Sequence, residues 1–171
     1  MIHETIESAS ARAATRGGGS DDGTDVSDGA ASDRGEMKAG SVTTDVLLTA
    51  FESLVGDAVR EAGTAHIRDE TELSDAVVRA MESGDVADCT VRDSAVVLGA
   101  TTDRDADAIV AELRDHLLIG MATAVLDVDT IAASIETDLT GQEVQQALEG
   151  RTQMTLEQLA EISAVIEQRK R

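Results

Sequence analysis

Few side chains in this chain are spaced for covalent chemistry. The three histidines, His3, His66 and His116, lie far apart in the sequence and match no metal-ligand spacing. The single cysteine, Cys89, follows Asp88, a neighbour that raises a thiol pKa and disfavours the reactive thiolate. One cysteine also excludes an internal disulfide framework and a cysteine-cluster metal site. Asp127-x-Asp129 precedes a helical stretch and reads as a cap, with Asp129 the expected N-cap. A calcium loop would need more oxygens and a glycine in register. Gly17-Gly18-Gly19 follows no strand, so it is not a phosphate-binding loop. No nucleophile has a base at a recognisable spacing. The expectation is a protein that is not an enzyme and carries neither a metal nor a small-molecule cofactor.

The elements that must position any site are helical. Residues 1–43 hold seven of the 14 glycines and few large apolar residues, and are expected to be a disordered leader. Within them, 4–14 can form a short, frayed helix. Met37 is an alternative start of translation. No apolar run follows Met1, so no secretory signal is expected. From Thr44 onward, apolar residues recur at three- and four-residue spacing. Eight helices are expected, near 45–62, 65–71, 75–83, 91–99, 104–126, 130–136, 141–149 and 156–168. Thr43 or Thr44 can cap the first, and Thr102 is expected to cap the fifth. Only Ser94–Leu98 is locally ambiguous between helix and strand. The run Leu117–Leu126 (LLIGMATAVL) is apolar all round and reads as a buried core helix, too short to span a bilayer.

The chain has 34 Asp+Glu against 14 Lys+Arg, a formal charge of −20, and the acids are dispersed over its whole length. At molar salt the Debye length is about 3 Å, which screens the self-repulsion that would destabilise such a surface in dilute buffer. The acidic, lysine-poor composition resembles that of cytoplasmic proteins from salt-accumulating archaea. With one Phe and neither Tyr nor Trp, the chain has no base-stacking platform for RNA.

The helical part reads as one unit repeated. Residues 73–99 and 139–166 align with Leu73 on Leu139, Val77 on Val144, Met81 on Leu148, Gly84 on Gly150 and Thr90-Val91 on Thr155-Leu156. Ser74 and Thr140 stand as caps before corresponding helices. Thr140-x-x-Glu143 forms a capping box, and Thr155-x-x-Gln158 can form another. The organisation expected is a compact all-α bundle, with a four-helix unit at 44–100 and a second at 101–171.

In the second unit, the series TIAASIE, TDLT, GQEVQQALEG, RTQM, TLEQLAEISAVI (residues 130–166) resembles the helix-turn-helix core of the phage repressor and Cro superfamily. The unit as a whole is also similar to a haloarchaeal family of unknown function. The first resemblance implies a DNA-binding regulator whose recognition helix, 141–149, enters the major groove. Gln142, Gln145 and Gln146 would face outward, and glutamine can read adenine. Arg151 would meet phosphate. Thr140 and Gly141 would offer backbone amides at a helix N-terminus. The corresponding helix of the first unit turns Asp75, Arg79 and Glu82 outward and is a poor reader of DNA.

Charge sets the competing reading. Residues 45–168 carry 26 acidic and seven basic side chains, a balance of −19. Such a body gains little from counterion release on a duplex. The cationic end, Arg169-Lys170-Arg171, complements the dipole of the last helix. The expectation is thus a cytoplasmic protein that binds DNA at high salt. The alternative is a non-catalytic adaptor that uses the same motif to bind itself or another protein. No membrane partner is expected.

Overall fold

The computed structural model describes residues 1–16 and 41–170, apart from the side chain of Arg16. The expected disorder of Gly17–Asp33, the alternative start at Met37 and the final Arg171 lie outside the described residues. Nine α-helices form among the described residues: α1 (Ile2–Arg16), α2 (Thr44–Ala62), α3 (Thr64–Glu70), α4 (Asp75–Ser83), α5 (Val91–Thr102), α6 (Ala106–Ala124), α7 (Val128–Ala132), α8 (Gly141–Leu148) and α9 (Leu156–Arg169). There is no β-strand among the described residues, and Ser94–Leu98 belongs to α5.

Helix starts follow capping chemistry. Thr43, Ser74, Thr90, Thr140 and Thr155 each accept a backbone N–H of the first turn. The capping boxes at Thr140 and Thr155 both close. Two caps differ from expectation. Asp105, not Thr102, starts α6, because its carboxylate accepts the Asp107 N–H at 2.7 Å. Thr102 ends α5 and donates to the Leu98 carbonyl. Asp127, not Asp129, caps α7 by accepting the Thr130 N–H at 2.7 Å. In each case the carboxylate that reaches the free amides of the first turn sets the boundary.

The two units share one apolar core. The long helix α2 lies along α9 and α5, while its counterpart α6 lies along α5 and α9. Each unit's first helix therefore packs on the last helix of both units. At the centre, Thr90 and Thr155 face each other in an isolated antiparallel bridge. The Val91 N–H donates to the Met154 carbonyl at 2.8 Å, and the Leu156 N–H donates to the Cys89 carbonyl at 2.8 Å. Aligning Cys89 and Val91 with Met154 and Leu156 interchanges these two bonds. Gly84 (φ 85°) and Gly150 (φ 74°) both follow their helices in left-handed backbone that disfavours a side chain. Over α4 and α8 the caps Ser74 and Thr140 and the glycines Gly84 and Gly150 set the register at 66 residues, so buried Val78, rather than half-buried Val77, matches Val144.

Residues 1–16 also enter the fold. Helix α1 packs on α2 and α6, with Ile2, Ile6 and Ala9 buried. It is longer than the 4–14 expected because Ile2 and Ile6, one turn apart, give it an apolar stripe. The larger correction concerns α6. Leu117, Gly120 and Met121 are buried, but Leu118 and Ile119 are 49% and 66% exposed, and Val125 just beyond is 90% exposed. The all-apolar run is not a buried helix; half of it faces outward.

Candidate functional site

The side chains expected to read DNA are spread from the first turn of α8 to the loop beyond it, and two of them, Gln145 and Arg151, are engaged with an acid. Gln142 and Gln145 are exposed one turn apart. Gln145 donates its amide N–H to Glu149 Oε1 at 2.9 Å. Gln146 is half-buried rather than outward, and its carbonyl accepts the Arg151 N–H at 2.8 Å. Exposed Arg151 pairs with Glu149, Nε to Oε2 at 3.1 Å.

Carboxylates already occupy the N-terminus of α8. Glu143 Oε2 accepts the Thr140 N–H and hydroxyl, both at 2.8 Å, and these bonds hold its carboxyl below the usual range. Gly141 is buried, and a Cβ there would lie 2.0 Å from Asp129 Oδ1. The Thr140 amide is thus spent on the chain's own Glu143, and the Asp129 carboxylate lies beside Gly141.

A second surface, which periodicity alone did not separate from the core, is the outer face of α6. Leu118 and Ile119 stand on it with exposed Ala111, Asp115 and Ala122, and Glu112, paired with Arg104, lies two turns before Ile119. Val125 continues it beyond the helix end. Val125 takes φ 53° and ψ 50°, left-handed backbone that a β-branched side chain rarely adopts. Its N–H nevertheless closes α6 by donating to the Ala122 and Met121 carbonyls. A glycine or asparagine would perform that cap with less strain.

Histidines distant in sequence meet at α1 and α6. The rings of His3 and His116 lie 5.9 Å apart between centroids, tilted by 39°. His116 Nδ1 is 3.7 Å from Glu7 Oε1. Burial and the nearby Lys170 hold the His116 pKa below its ordinary value, against the opposing pull of Glu7 and Glu167. His66 stands apart, on α3. No group of three potential metal ligands forms among the described residues. Cys89 is buried, and burial, followed by Asp93, Asp85 and Asp88, raises its thiol pKa. No helix among the described residues is long and apolar enough to cross a membrane.

Comparison with known proteins yields no match to a curated protein or a solved structure. A family model does match, over residues 47–169, from the start of α2 to the end of α9. On that match the chain belongs to DUF5791, a family of unknown function.

Proposed function

We propose that the protein is a non-catalytic interaction module in which the outer face of α6 receives an amphipathic helix of another protein. The observation that carries this reading is the exposed apolar series Leu118, Ile119 and Val125, its last member in strained backbone. Covering side chains of this size is worth roughly 1.5–3 kcal/mol each, enough for three of them to sustain a specific contact. Charge gives the partner its chemistry. Asp115 lies one turn before Leu118, and Asp127 follows Val125, so the incoming helix needs an apolar stripe with basic rims. A second copy would bring another strongly acidic body instead.

A labelled peptide helix with leucines on one face and arginines along both rims provides the test, by fluorescence polarisation in molar KCl. Binding that Ile119→Glu abolishes is the expected result. Binding unchanged by that substitution, or equal binding by a peptide with the arginines but no leucine face, would reject the proposal. If the chain alone sediments as a dimer that Ile119→Glu dissociates, the occupant is a second copy instead.

The exposure of Gln142 and Gln145 on one face of α8 favours a second reading, major-groove recognition. Against it stand the pairing of Arg151 with Glu149 and the carboxylates of Glu143 and Asp129 at the start of α8. Polarisation with genomic fragments in molar KCl separates the two readings. This second one requires binding that Gln145→Ala with Arg151→Ala removes.

A further inference from the structure

A cleft of about 610 Å³ opens between α6, the start of α5 and the loop from α8 to α9. Its floor is apolar, formed by Val91, Val110, Leu113, Leu117, Ala147 and Met154. Three of the chain's few basic residues line it: Arg92, Arg114 and Arg151. Arg92 pairs with Asp107, and Arg151 with Glu149. Arg114 differs. It is half-buried and donates its Nε–H to the Leu148 carbonyl at 2.8 Å, yet forms no ion pair among the described residues. In a chain with 34 carboxylates, a half-buried guanidinium without one is a positioned cation awaiting an anion.

The architecture does not itself demand this arginine. Its guanidinium rests against Gly150, where a Cβ would lie 2.6 Å from Nη1. In the first unit the same place against Gly84 is taken by Glu52, whose Oε1 would lie 2.3 Å from a Cβ there. One backbone arrangement therefore accepts either charge, and the second unit alone has the cation.

We infer that this cleft binds a small monocarboxylate with an apolar body. With Nε committed to Leu148, the two Nη groups leave one edge, which suits the two oxygens of a single carboxylate. Asp107 and Glu149 at the margins oppose a dianion. The apolar floor takes the hydrocarbon part, in a cleft of a size usual for small ligands. The cleft is lined by Leu117 but not by Leu118, Ile119 or Val125 of the outer face of α6.

Calorimetric titration of the full chain in molar KCl tests the assignment, with octanoate as the probe and octanol and acetate as controls. Octanoate is expected to bind at one site, octanol and acetate at least about tenfold more weakly. Arg114→Gln is expected to cost about tenfold in affinity, the measure of one charged hydrogen-bond partner. Because Arg114 also bonds the end of α8, a second variant, Val110→Phe, fills the floor while keeping the guanidinium, and it too should abolish binding. Equal binding of octanol and octanoate, or octanoate binding unchanged in both variants, overturns the inference. Binding of a peptide with a free apolar C-terminus where octanoate fails would assign the carboxylate to a polypeptide and overturn it as well.

Discussion

Glu161 shows how one buried side chain fixes the approach to α8. It is 6% exposed, and its carboxylate accepts both the N–H of Thr137, at 3.1 and 3.2 Å, and that residue's hydroxyl. Thr137 lies between α7 and α8. Removing the acceptor leaves that part-buried amide unpaired. Glu161→Ala should cost about 1–3 kcal/mol in urea denaturation, and Glu161→Gln, which retains an acceptor, should cost less. Nothing in the sequence marked Glu161, since its partner lies 24 residues away.

His116 was legible only as a helix residue, because the neighbours that depress its pKa come from α1 and the end of α9. Unfolded, it titrates near 6.5; folded, it titrates lower. Between those values the unfolded chain holds more protons, so its contribution to stability is present above pH 6.5 and is lost as pH falls through the folded pKa. His116→Gln should flatten that part of the stability-against-pH curve, read by thermal melts across mildly acidic buffers.

Among the elements, the capped helices were the most readable, because a hydroxyl followed three residues later by Glu or Gln is a local signal. Both capping boxes formed where spacing placed them. The outer face of α6 was unreadable for the opposite reason. A run that is apolar all round has no periodicity, so it does not tell which side is covered. Packing on α5 and α9 covers Leu117 and Met121 and leaves Leu118 and Ile119 bare. Leu117→Ala should therefore cost about 2–5 kcal/mol, whereas Ile119→Glu should shift stability by no more than about 0.5 kcal/mol. Matched urea titrations give both numbers. Val125 makes a sharper case. Val125→Asn should stabilise the chain by roughly 1 kcal/mol by relieving left-handed strain, while weakening the binding of an apolar-faced helix.

At the scale of the whole molecule, paired caps and glycines were readable as a repeat because they are local features. The exchange of long helices between its halves was not visible. Nothing in residues 44–100 states that α2 will lie on α9 rather than close a core of its own, and the Thr90–Thr155 bridge appears only once both loops meet. The residues expected to read DNA illustrate the same limit: local pattern placed Gln142 and Gln145 outward on α8, but the carboxylates around them come from α7 and from the helix itself. Acidic charge spread over both halves should make stability depend on screening. The thermal midpoint is expected to rise steadily from dilute buffer to molar KCl, and a flat response in scanning calorimetry would contradict salt adaptation. The central claim is that α6 presents its outer face to a basic-rimmed helix. Amide chemical shifts of the isotope-labelled full chain, recorded in molar KCl during titration with the leucine–arginine peptide, test it most directly. The account predicts shifts concentrated from Asp115 to Asp127 and lost in Ile119→Glu; shifts that leave this segment untouched, or that persist in the variant, would contradict it.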